Sequence, residues 1–173
     1  FYKGDVMQFA DIPEREAGFE GVPTGLEILD KNLGGSLYGR TVLLTGSNKA
    51  GKSILINQLT AEAIEKGTIA CVYAGEDEIS TYKYNMQVHV GSYEGGNQKT
   101  SRTGAEYIEI LPEYKTKIDN WAFNRLFVIS RKSGLNEDSI IENFQLAFER
   151  FGCNFFVVDN LMKLVASKDT TNV

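Results

Sequence analysis

Apolar positions along the chain fall into two kinds of run, and the spacing of each kind predicts an element. Four short runs are continuous: 41–45 (TVLLT), 68–75 (TIACVYAG), 126–130 (LFVIS) and 154–159 (NFFVVD). Continuity rather than alternation marks strands covered on both faces, the pattern of a parallel sheet. Between these runs, apolar residues recur at steps of three and four. The segment 52–66 carries Ile54, Leu55, Gln58, Leu59 and Ala63 at that spacing and stops at Gly67. The segment 137–150 follows a candidate N-cap at Asn136 and carries Ile140, Ile141, Phe144, Phe148 and Phe151 before Gly152. A third helix is expected from about Pro112 through Trp121.

Nearer the start, Thr24 and Glu27 form a capping box for a helix from Gly25 to Leu33. Its Leu26, Leu29 and Leu33 share a face, and Gly34-Gly35 ends it. Residues 91–104, rich in Gly, Ser, Thr, Asn and Lys, read as a mobile loop. Residues 1–21, broken by Pro13, Gly18 and Gly21, read as a linker or N-terminal arm. Strands alternating with helices predict one α/β domain over residues 22–173, with a mainly parallel sheet flanked by helices.

Composition changes this picture little. The chain has 173 residues, is 42% hydrophobic and 24% charged, and is an ordinary globular sequence able to bury a core. No run approaches the roughly twenty apolar residues of a membrane span. The opening Phe1-Tyr2-Lys3-Gly4-Asp5 lacks the basic-then-apolar order of a secretory leader, so a cytoplasmic location and no membrane partner are expected. Cys71 and Cys153 lie in apolar surroundings without a metal-ligand pattern and read as buried free thiols. His89 is the only histidine, which argues against a Ser-His-Asp triad and against zinc. A net charge of -5 is the wrong sign for coating nucleic acid through bulk charge, but leaves room for contacts from one basic loop.

The chemistry is concentrated in Gly46-Ser47-Asn48-Lys49-Ala50-Gly51-Lys52-Ser53, a full match to Gly-x4-Gly-Lys-Ser, lying between a predicted buried strand and a predicted helix. Glycines at 46 and 51 permit a tight turn whose N–H groups converge on phosphate oxygens. The following helix aims its free N–H groups and dipole at the same anion. Lys52 is spaced to reach the β- and γ-phosphates, and Ser53 to offer a hydroxyl to Mg²⁺. The loop therefore predicts binding of a nucleoside triphosphate with magnesium.

Hydrolysis needs two further acids. Asp159 ends the apolar run 155–158, at the carboxyl edge where ligands sit in open α/β sheets, and is expected to hold Mg²⁺ directly or through water (the Walker B pattern). Glu76 comes directly off the second strand and is the expected general base, ahead of its neighbours Asp77 and Glu78, which run on into the turn.

The lead-in Val22-Pro23-Thr24-Gly25-Leu26-Glu27-Ile28-Leu29-Asp30-Lys31-Asn32-Leu33-Gly34-Gly35, followed by Leu43-Leu44-Thr45-Gly46, resembles the entry into RecA-like ATPase domains. Within that group, Tyr73-Ala74-Gly75-Glu76 and Asp159-Asn160-Leu161-Met162 resemble replicative hexameric helicases: the DnaB group, phage primase-helicases and mitochondrial Twinkle. The resemblance covers about residues 20–165. It implies a motor that spends ATP with Mg²⁺ to translocate on single-stranded DNA as a homo-oligomeric ring, a hexamer in that group. It also implies a DNA-binding loop, a phosphate-sensing strand and an arginine finger after the Walker B strand. Only 161–173 follow here, with Lys163 and Lys168, so an incomplete C-terminal side and negligible ATPase activity alone are expected. In RecA-like sheets another strand separates the P-loop and Walker B strands. The expectation here is that something else fills that slot or that 41–45 and 154–159 pair directly. Other readings are a non-helicase RecA-like ATPase, a small-molecule kinase, and a nucleotide-binding module without turnover; the kinase lacks an Arg-rich lid after 137–150.

Overall fold

The computed structural model describes residues 8–11, 24–33, 41–76, 78–130 and 137–161. A single 3-10 turn, Phe9–Asp11, precedes α1 (Glu27–Leu33), α2 (Lys52–Glu65), β1 (Ala70–Ala74) and α3 (Ile79–Gly95). Then follow β2 (Gly96–Thr100), β3 (Glu106–Ile110), α4 (Pro112–Ala122), β4 (Leu126–Ser130), α5 (Glu137–Phe151) and β5 (Phe155–Asp159).

Three of the four predicted strands form a parallel sheet in the order β4-β1-β5. Central β1 is buried at all five positions, as its unbroken apolar run requires. Alternation then sorts the side chains between two faces. Val72 and Ala74, with Leu126, Val128 and Val157, pack against Tyr82 and Met86 of α3. Cys71 and Tyr73, with Phe127, Ile129 and Val158, pack against Ile140, Phe144 and Ala147 of α5. The sheet is thus covered on both sides by helices, an α/β architecture consistent with a RecA-like fold. Helix α2 packs against β1, β5 and α3, and joins α3 through Gln58 Oε1 and His89 Nε2 at 3.1 Å.

The fourth predicted strand does not form. Residues 41–45 have no strand pairing, and Val42, Leu43 and Leu44 are 60%, 73% and 37% exposed. The reason is the ladder itself. A strand is held by a neighbour's N–H and C=O groups, and apolar content cannot replace them. Strand β5 is bonded to β1 on one side and stands at the sheet's edge, so direct pairing of 41–45 with β5 is not the outcome, and no described segment fills the slot between them.

Residues 91–104 are also not a loop. They contain the end of α3, all of β2 and most of a turn closed by Ser101 and Ala105, with Gly104 at φ +83. Strands β2 and β3 form a separate antiparallel hairpin, Gly96 opposite Ile110 and Thr100 opposite Glu106. The glycines that suggested a loop serve close packing. A Cβ on Gly95 would meet the Tyr114 ring at 2.2 Å, and one on Gly91 would meet Ile118 Cδ1 at 2.6 Å. Glycines four apart on α3 thus receive Tyr114 and Ile118, four apart on α4. The predicted helix at 112–121 is α4 itself, with Pro112 in its first turn.

Helix faces differ from the apolar stripes. In α2 the buried residues are Asn57, Thr60, Ala63 and Ile64, while Ile54 is 66% exposed. Thr60 answers its burial by donating to the Ile56 carbonyl at 2.8 Å. In α5, Ile140 and Ala147 are buried, whereas Ile141 and Phe148 are exposed; Phe151, half exposed, stacks on Phe127 at 4.3 Å. Leu26, just before α1, and Leu29 within it are exposed rather than part of a core face. The cap there uses Asp30 in place of Glu27. Its carboxylate accepts from the Thr24 amide (2.7 Å) and hydroxyl (2.8 Å), and the amide bond holds its pKa below the usual range. Glu27 instead pairs with Lys31. Asn136, Gly34 and Gly35 lie outside the described residues. No described helix is long and apolar enough to cross a membrane.

Candidate nucleotide-binding site

The loop from Gly46 to Ser53 turns through two left-handed residues, Lys49 (φ 64) and Gly51 (φ 84). Gly51 serves as the N-cap of α2 and supplies no side-chain cap, which leaves the first N–H groups of the helix without a side-chain oxygen from that position. The role expected of Gly46 is not seen. Its φ is not left-handed, and an added Cβ would lie in ordinary contact with Ala50 and Lys52, at 3.6 Å and 3.8 Å. The second left-handed position is Lys49, which the glycine pattern did not mark.

Lys52 folds over the loop. Its Nζ donates to the carbonyls of Gly46 (3.1 Å) and Ser47 (2.9 Å), and the turn is closed by the Ala50 amide on the Ser47 carbonyl (3.2 Å). A phosphate would exchange these neutral acceptors for anionic ones, adding charge–charge attraction to the ammonium's hydrogen bonds. An uncapped helix start, left-handed turn residues and an ammonium held over the loop suit a polyphosphate anion. Ser53 is exposed at the second helical position.

The two acids lie on adjacent strands. Ala74 is in register with Asp159, and the Gly75 amide donates to the Asp159 carbonyl at 2.5 Å, carrying the ladder one residue past β1. Glu76 follows at once and is exposed. Its Oε1 accepts from Asn160 Nδ2 at 3.1 Å. Glu76 and the Asp159-Asn160 pair are therefore brought together at the carboxyl edge of the sheet. Glu78, the alternative base, is exposed at the N-cap of α3; Asp77 lies outside the described residues.

No protein-family model matches the chain. Over 114 residues it is 29% identical to the protein RecA of Thermus thermophilus, in an alignment taking in 64% of this chain and 33% of RecA. The chain thus spans about a third of the length of the curated relatives it matches. The likeness supports a RecA-like P-loop ATPase.

Two residues at this edge of the sheet are not marked by the sequence pattern. Asn160 was visible as part of the run 159–162, but nothing in the sequence marked it as the partner of Glu76. Tyr82, in the first turn of α3, packs with Val72, Ala74 and Val157 on the face that carries Asp159, since Val157 and Asp159 are two apart on one strand. Recognising it required knowing that a helix starts at 79.

Proposed function

We propose that this chain is the ATP-binding motor domain of a replicative DNA helicase of the DnaB and Twinkle kind, coupling ATP hydrolysis to translocation on single-stranded DNA within a homo-oligomeric ring. The single observation that carries the catalytic reading is the meeting of Glu76 with Asp159-Asn160 at the carboxyl edge of β1 and β5. In this reading, Ser47 through Gly51 wrap the phosphates with main-chain N–H groups and Lys52 neutralises the β- and γ-oxygens. Ser53 and Asp159 would hold Mg²⁺, a hard cation suited to hydroxyl and carboxylate oxygens, which when bound offsets charge on the phosphates. Glu76 takes the proton of the attacking water, with Asn160 fixing its carboxylate in the meantime.

The likeness to RecA favours a second reading, a RecA-like ATPase that does not unwind DNA. Steady-state hydrolysis and displacement of a labelled strand from a forked duplex separate the two. A helicase domain in its full-length protein hydrolyses Mg-ATP faster with single-stranded DNA and displaces the strand. Glu76→Gln should retain nucleotide binding while hydrolysis falls about 10²–10⁴-fold. Normal hydrolysis in that variant moves the base elsewhere; DNA-stimulated hydrolysis without displacement supports the second reading.

A further inference from the structure

The hydroxyl of Tyr82 is fully buried and has no hydrogen-bond partner among the described residues. The residue as a whole is 7% exposed, and its ring is packed among Val72, Ala74 and Met86. A phenylalanine would fill this space equally well without leaving a desolvated donor, and a buried donor with no acceptor is costly enough to be rare. The location supplies an explanation. Ala74 and Asp159 are register partners, and their side chains leave the sheet on the face that Tyr82 covers. Tyr82 is also in the first turn of α3, immediately after the connection that carries Glu76. Among the described residues Thr68 Oγ1 is likewise buried without a partner, but of the two it is Tyr82 that packs on the sheet face carrying Ala74, Val157 and Asp159.

We propose that Tyr82 is a positioning residue for Asp159: when the site is loaded, its phenol donates to the Asp159 carboxylate and fixes that carboxylate's orientation. This rests on the assignment of Asp159 to magnesium. Burial, and next the charge of Asp159, push the phenol's pKa upward, so it remains a neutral O–H donor throughout the neutral range. A carboxylate is the stronger kind of acceptor for it. The cost borne in the free protein is recovered when the carboxylate is drawn into one geometry.

The test is Tyr82→Phe, which keeps the ring, with Tyr84→Phe as control because that hydroxyl bonds the Ile108 carbonyl. Calorimetry measures ATP affinity with excess magnesium and with chelator, and melting is followed without nucleotide. Tyr82→Phe should melt no lower than wild type while its magnesium-dependent gain in affinity shrinks about tenfold; Tyr84→Phe should keep the full gain. A lower melting temperature with an unchanged magnesium gain makes the hydroxyl merely structural and overturns the proposal, as does no change in either quantity. If the wild type itself binds no Mg-ATP, the nucleotide reading falls and takes this inference with it. That outcome is distinguishable, because it appears before any substitution is made.

Discussion

At the scale of single residues, charge and burial assign opposite fates to groups that look alike in sequence. Lys52 is held by two carbonyls at the loop mouth, where a charge-assisted contact contributes about 1.5–3 kcal/mol. Lys52→Ala is therefore expected to weaken Mg-ATP binding at least about tenfold. Unchanged affinity by calorimetry would sink the phosphate-loop assignment. Cys71 and Cys153 are the inert counterpart. Both are buried and free, in one apolar cluster, and burial pushes the Cys71 thiol up to about 12. Thiolate is the reactive form, so neither should react with a thiol reagent at pH 8 until the protein unfolds. Rapid labelling of the native protein would show that this cluster opens.

At the scale of elements, the sequence misled wherever a residue type had two physical uses. The P-loop helix, the 112–122 helix, the 137–151 helix and three strands were legible because apolar period and end signals agreed. Residues 91–104 were not, because glycine serves close helix contact as well as turning. That distinction makes a prediction. Gly95→Ala drives a Cβ into the rigid Tyr114 ring and should destabilise the fold by about 1–3 kcal/mol. Gly91→Ala meets only the mobile tip of Ile118 and should cost less. Equal melting temperatures for the two variants would show that α4 does not seat on the glycines. The amphipathic stripes erred for a related reason: period marks a face, but which flank of it meets the sheet depends on how the helix is rolled. Hence Ile54 and Phe148 are exposed while Thr60 and Ala147 are buried.

For the whole molecule, two measurements follow from how the layers meet. His89 bridges α3 to α2 through Gln58, and burial holds its pKa below the ordinary value of about 6.5. The unfolded chain then takes up the proton first. Stability is full above that unfolded value and is lost as pH falls through the folded pKa. Melting temperatures in His89→Gln should show a shallower decline over that acidic window; an identical decline would place the linkage elsewhere. Hydrogen exchange should find β1 amides the slowest, since β1 is bonded on both sides, and residues 41–45 near unprotected rates. Strong protection at 41–45 would mean that they are paired.

Local pattern by itself determined the tight turn at 46–53, the helix behind it, the central buried strand and the two acids at strand ends. Each of these is written in a few consecutive residues, through spacing, backbone freedom or apolar continuity. Tertiary structure alone decided that 41–45 remains unpaired, that Asn160 meets Glu76 and that Tyr82 lies on the face carrying Asp159. All three depend on register and on which strands are neighbours. Asn160 and Glu76 are 84 positions apart in the chain, and only the pairing of Ala74 with Asp159 brings them within 3.1 Å. A strand's apolar run states that it will be covered on both faces; it carries no record of which partner will satisfy its edges.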